Sequence, residues 1–212
     1  MRRGGRPIPS GRPRITTLIV VGLVIGVRLS GQTSFHATVG ARYTSPLVHD
    51  SIVTPLDVRA AVAPALVVAL DLPLDGPWKL ELLADLATSP VRRHDASGAP
   101  TPITRVWTIG LGLGLRRRLE SWLDARLAVG ALKYVPTASI GLFRDGGGSV
   151  TPYGSLAFDI APPVAARHRV ALEVAGDMHR FLTPALRSAG FVDSRVVYRV
   201  TVGVRVDLWR TR

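Results

Sequence analysis

From Arg195 to Trp209 the chain alternates with a period of two. One parity is apolar throughout: Val196, Tyr198, Val200, Val202, Val204, Val206 and Leu208. The other carries Arg195, Val197, Arg199, Thr201, Gly203, Arg205, Asp207 and Trp209. Successive side chains on a β-strand leave opposite faces, so the pattern predicts one greasy wall and one charged wall. Fifteen residues is long for a strand of an ordinary soluble sheet and enough to cross a bilayer at a tilt.

Seven earlier segments read as strands too, giving eight over roughly 35–44, 57–72, 78–88, 103–116, 122–134, 150–160, 169–180 and 195–209. In 57–72 one parity is Val58, Ala60, Val62, Leu66, Val68, Leu70 and Leu72, interrupted by Pro64, while the other runs from Arg59 through small residues to Asp71. Pro64 is the weak point, because proline removes a ladder hydrogen bond. The connectors alternate in length. Those at 45–56, 89–102, 135–149 and 181–194 have 12 to 15 residues; those at 73–77, 117–121 and 161–168 have five to eight. The reading is an all-β, eight-stranded antiparallel up-and-down transmembrane barrel, with long loops at one end and short periplasmic turns at the other.

Charge assigns the faces. The non-apolar wall holds the cations Arg42, Arg59, Lys79, Arg116, Arg126, Arg169, Arg195, Arg199 and Arg205. It also holds the acids Asp57, Asp71, Glu81, Asp85, Asp124, Asp159, Glu173, Asp177 and Asp207. No acid falls on the apolar wall, where the only cations are Arg105, Lys133 and Arg180, all near strand ends. Matched charges suit a closed interior in which each must pair, and an eight-strand lumen has room only for packed side chains.

Aromatic residues collect at two depths. Phe35, Trp78, Trp122, Phe158 and Trp209 lie toward the short turns; Tyr43, Trp107, Tyr134, Tyr153, Phe181 and Tyr198 lie toward the long loops. Two such bands are expected where amphipathic rings sit at headgroup level. Trp122, Tyr134, Tyr153, Phe181 and Trp209 nevertheless have the inward parity.

The head of the chain has a different character. Five arginines and no acid precede an apolar run of thirteen residues from Ile15 to Val27, followed by Ser30-Gly31-Gln32. Residues 1–31 are expected to be a signal peptide cleaved after Gly31, leaving 32–212 as one exported barrel domain. The run is short for a membrane-spanning helix. Formal net charge is +12 for the whole chain, and six of the arginines lie in residues 1–31, leaving +6. No stretch clusters basic and aromatic residues on one face, so nucleic acid is not an expected partner. There is no cysteine, hence no disulfide, lipid-bearing cysteine or thiolate metal site.

The leader, eight strands, aromatic bands and closing strand resemble the small eight-stranded outer-membrane β-barrels of Gram-negative bacteria, the group that includes the OmpA transmembrane domain and OmpX. Thr201, Gly203, Val206 and Leu208 are similar to the sorting signal that the barrel-assembly machinery reads in such proteins. Arg210-Thr211-Arg212 departs from it, since many members end on the aromatic residue. The resemblance implies outer-membrane lipid and lipopolysaccharide as partners, and a structural or surface-binding barrel, monomer favoured, acting through its long loops.

Other chemistry is thin. His36, His49, His94, His168 and His179 show no ligand spacing along one strand, so no metal or other cofactor is expected. Some barrels of this resemblance modify lipid A, which needs a serine, a histidine base and an orienting acid. Asp177 and His179 share a parity, with Ser45, Ser89, Ser188 or Ser194 as nucleophiles; the simpler role for the pair is in the interior charge ladder, and no catalytic residue is assigned. The Gly110-Leu-Gly112-Leu-Gly114 run sits mid-strand and opens no helix, so it is not a phosphate cradle. Arg92, Arg93, Arg144 and Arg187 are loop cations suited to phosphate. The competing fold is a soluble lipocalin-like barrel, with the apolar wall inside around a ligand.

Overall fold

The computed structural model describes residues 32–50, 56–95, 99–162, 170–191 and 194–210. The expected signal peptide and Arg169 lie outside the described residues. Ten strands are present among them. They are β1 (Ser34–Thr44), β2 (Val48–Asp50), β3 (Leu56–Ala60), β4 (Ala63–Pro73) and β5 (Trp78–Asp95), then β6 (Thr101–Glu120), β7 (Leu123–Pro136), β8 (Thr151–Ile160), β9 (Val170–Phe181) and β10 (Arg195–Arg210).

Eight of them close a ring of antiparallel neighbours in the order β1-β4-β5-β6-β7-β8-β9-β10, with β10 returning to β1. Paired residues once round the ring run Asp124, Asp159, Glu173, Gly203, Gly40, Ala65, Ala87, Thr108 and Tyr134, so the path returns to β7 ten residues above its start. A staggered ring has tilted strands, and with eight of them the interior is filled by side chains. The seam between β1 and β10 is tight. A Cβ on Gly40 would lie 2.2 Å from the Val202 carbonyl oxygen, and one on Gly203 would lie 2.8 Å from that of Val39.

The alternation holds in the ring. Ala63, Ala65, Val67, Ala69 and Asp71 of β4 are buried, and Glu81, Leu83, Asp85 and Ala87 of β5 follow suit. The sequence places 57–72 in one strand; the structure breaks it at residues 61–62 into β3 and β4, both paired with β5. The break reverses parity. Val58 faces the interior at 3% exposure, while Val62 stands outside at 64%. Pro64 and Pro90 lack amide donors, and extra residues at such a point act as a bulge that re-aims everything beyond it. Arg59 is therefore on the outer surface, where it pairs with Asp57, and neither belongs to the interior ladder.

The connectors also depart from expectation. Residues 89–102 are mostly strand: Ser89 to Arg93 continue the β5–β6 ladder against Val106 to Thr101. With β3 and β2 paired alongside, this hairpin forms a small platform beyond the barrel rim. Residues 135–149 carry a 3-10 turn at Gly141–Phe143, and 181–194 carry a short helix, α1 (Pro184–Ser188), capped by the Thr183 hydroxyl. At the opposite end the turn 73–77 is tight. Gly76 takes a φ of 71°, and the Leu74 amide donates to the Trp78 carbonyl at 3.0 Å.

Candidate functional site

The lumen is the candidate site, and it has three tiers. Nearest the short turns, Arg116, Arg126 and Arg205 meet Asp71, Glu81, Asp159 and Glu173. Arg116 donates to Asp159 and, at 2.8 Å, to Glu81; Arg126 donates to Glu81 at 3.3 Å and to Glu173 at 3.1 Å; Arg205 reaches Asp159 at 3.0 Å. Thr38 completes Glu173 at 2.8 Å, and Ser34 and Lys79 each donate to Asp71 at 3.2 Å. Arg116 and Glu81 are 1% and 0% exposed. Charges so deep persist only because each meets opposite charge and hydrogen bonds.

The middle tier repeats the arrangement. Arg42 donates to Asp85 at 2.8 Å and to Thr201, and Arg199 donates to Asp177 at 2.7 Å and Asp85 at 3.3 Å. Between the two tiers lies a cavity of about 30 Å³ bordered by Arg42, Asp85, Arg126 and Asp177, polar and roomy enough to hold water.

The top tier is apolar. Leu47, Val48, Val58, Val91, Val106, Leu132, Phe143 and Val197 pack with Tyr134, Tyr153 and Phe181. The Phe181 ring meets Tyr134 edge-on at 5.0 Å and Phe143 at 6.2 Å. The 3-10 turn carries Phe143 into the mouth, and its Leu142 carbonyl accepts from Thr183 at 2.7 Å. Tyr134, Tyr153 and Phe181 are thus core residues rather than members of an aromatic band. Their inward parity decides the matter, and glycines make the room. A Cβ on Gly112 would lie 2.5 Å from the Tyr153 hydroxyl, and one on Gly130 would lie 2.6 Å from its ring.

The remaining aromatics face outward at the two ends: Trp78, Trp122 and Trp209 with half-buried Phe35 at the turn end, Tyr43, Trp107 and Tyr198 at the loop end. Phe158 is also exposed, two positions inward of the β8 terminus. The Arg117 guanidinium stacks 5.0 Å over Trp78. Between the bands the outer wall is apolar on every strand of the ring, including Val39, Leu66, Leu82, Leu111, Leu127, Leu156, Leu172 and Val202, with Leu111 and Leu127 each 65% exposed. Water would penalise such a wall, while hydrocarbon suits it, and a closed ring leaves no unpaired edge in lipid. A lipocalin-like barrel needs the opposite facing. The chain is a transmembrane β-barrel.

Several residues of the polar wall sit at rims rather than in the ladder's depth. Lys79 is partly exposed, Asp124 pairs with Arg118 at 3.4 Å, and Asp207 bridges Arg205 and Arg210 at 3.0 and 2.7 Å. Asp177 and His179 do come together, at 3.7 Å, but the imidazole's other nitrogen faces the Tyr134 hydroxyl at 2.8 Å. Ser45 accepts from the Tyr198 amide and Ser188 donates to the Pro184 carbonyl, so neither is presented to His179. The pair belongs to the joint between the charged and apolar tiers.

One convergence escapes spacing rules altogether. His36, Asp71 and Glu81, from three strands, have ligand atoms within 4.8 Å of one another. Arg116 stands 2.8 Å from Glu81 and 3.4 Å from the His36 Nε2. Those guanidinium contacts make the triad part of the ion-pair lattice. At the platform, Asp57 accepts from His49 and Arg59, and those bonds hold its carboxyl below the usual carboxylate range. The residues similar to a sorting signal have structural work of their own: Thr201 and Gly203 line the seam with β1, and Leu208 faces outward.

No protein-family model matches the chain, and no curated protein matches it. Among solved structures it is similar to the outer-membrane protein OprG of Pseudomonas aeruginosa, with 11% identity, 86% of this chain and 97% of that one covered, and a TM-score of 0.43. It is also similar to Neisserial surface protein A, at 13% identity over 84% and 98% of the two chains with a TM-score of 0.40. A designed transmembrane β-barrel matches at 11% identity over 86% and 99%, also with a TM-score of 0.40.

Proposed function

We propose that this is a closed, non-conducting barrel of a Gram-negative outer membrane, of the small OmpA and OmpX kind, which anchors and displays its loop-side platform at the cell surface. One observation carries the reading: an apolar stopper closes the loop mouth of the lumen above a lattice of paired charges. A conducting pore needs a continuous wet path, and the stopper removes it. What remains accessible is the platform, with His49, Arg59, Arg92 and Arg93 exposed on it. Export through residues 1–31, insertion by the barrel-assembly machinery through β10, and a monomeric barrel complete the proposal. Purified chain in planar bilayers should give no stable conductance steps, and steady single-channel currents would refute the closed lumen. In intact cells, added protease should cut near 96–100 and not at 73–77; cutting only at 73–77 would reverse the orientation.

A further inference from the structure

We infer that the outer wall between β7 and β10 is a lipid site. One acyl chain lies in a groove floored by Gly154 and Gly176, and its phosphate meets Arg180. This rests on the outer-membrane reading above and names the partner of that wall: the phosphorylated, multiply acylated glycolipid of the loop-side leaflet.

The groove holds about 480 Å³ and is bordered by Leu127, Val129, Leu156, Met178, Tyr198 and Val200. Gly154 pairs with Met178, and Gly176 with Leu156, so the glycines are diagonal neighbours across β8 and β9. Both point outward, since Tyr153 on one side of Gly154 and Ala175 beside Gly176 point in. A Cβ at either position would meet nothing within 4 Å. Packing does not call for these glycines. Gly40, Gly112 and Gly130 differ, because a Cβ there would strike neighbouring atoms at 2.2 to 2.5 Å. Glycine weakens a strand interior and otherwise marks a place where something approaches the backbone closely. On this wall the approaching group comes from outside the barrel.

Depth and charge say what it is. Gly154 is the fourth residue of β8 from its loop end at Thr151, and Met178, its partner, is three residues short of the loop end of β9 at Phe181. The groove therefore lies in the leaflet next to the long loops. Arg180 is two residues beyond Met178 on β9, outward and exposed, opposite Val196. On β7, Lys133 stands four residues beyond Val129 with its ammonium on the Gly148 carbonyl. Among the described residues no acidic side chain has the outward parity on β7 to β10. An apolar slot leading to an arginine and a lysine is complementary to a lipid with a straight chain and a phosphate.

The test is native mass spectrometry of the full chain, folded in detergent and offered hexa-acyl lipid A, the same lipid without phosphate, or phosphatidylglycerol. Folding is checked by heat-modifiable gel mobility. The wild-type protein should retain one lipid A. Gly176→Leu, which fills the slot, and Arg180→Gln, which removes the phosphate donor, should each lower retention roughly tenfold, whereas Leu172→Val on the same wall outside the groove should not. Should Gly176→Leu fail to fold, Gly154→Val and Arg180→Gln decide the matter. Equal retention by wild type and variants, or phosphatidylglycerol or dephosphorylated lipid held as well as lipid A, would overturn the site. Micelles have no sidedness, so this result is independent of the orientation tested by protease.

Discussion

Below the rung of Arg42 and Arg199 the lumen is a lattice of ions; above it the lumen is the core of a small soluble protein. The lower tiers are built by strands alone, each delivering a charged side chain at fixed height, and their partners come from across the barrel. The upper tier needs pieces that are not ring strands, because Phe143 arrives on a 3-10 turn and Val48 and Val58 arrive on the platform. Ion pairs suit a place that lipid does not reach, where the ladder already dictates position. At the mouth, where water is present, burial of apolar surface is the stronger way to hold loops down.

The largest effect should come from the lattice. Arg116→Leu removes the cation that Glu81 and Asp159 share, leaving them only Arg126 and Arg205, and removing one partner of a buried network costs about 3–5 kcal/mol. Urea unfolding in lipid vesicles measures it, and a loss near zero would mean that water screens the lower tier. In the upper tier Phe143→Ala should cost about 3 kcal/mol, with a different signature. The barrel should persist while protease cuts within 137–149, since the loss is confined to the stopper. Cooperative unfolding of the whole chain would show that the two regions are one unit.

The outer wall supplies a third contrast. Val202→Arg should lower stability by about 2–4 kcal/mol, because Val202 faces lipid away from both bands, while Arg105→Leu at the loop end should change little. Equal shifts in the same titrations would contradict the depths assigned here. The smallest effect belongs to the platform. The depressed Asp57 pKa means that its contribution is complete above the usual carboxylate value of 3.8 and is lost as pH falls below it. Protease resistance of the platform should hold from pH 7 to 5 and decline only under stronger acid. Asp57→Asn should abolish that pH dependence with little effect on the barrel, since its partners His49 and Arg59 are half exposed on the platform.

Much of the ring was legible because a strand's period of two forces each residue to choose a side. Asp71, Glu81, Arg126, Glu173 and Arg205 declared the inside, and Leu82, Leu111 and Val202 the outside. Tyr134, Tyr153 and Phe181 declared the inside too, but as strand-end aromatics they also fit a headgroup band. Only packing against Phe143 and the Gly112–Gly130 gap separates the two. Arg59 misled for another reason: the break at 61–62 flips the parity, and the prolines nearby mark a fault without saying how many residues it absorbs.

What the chain determined by itself was local and periodic: strand identity, facing in the ring, the short turns, and a polar interior inside an apolar skin. Those follow from backbone geometry and from the cost of placing charge in hydrocarbon. What tertiary structure alone decided was which charges meet. Glu81 takes Arg116 and Arg126 from 35 and 45 residues away, and the stagger of the closed ring, absent from any single strand, sets those heights. The stopper and the glycine groove belong to the same category. Each is made by residues whose nearness depends on closure, and closure is a property of all eight strands together.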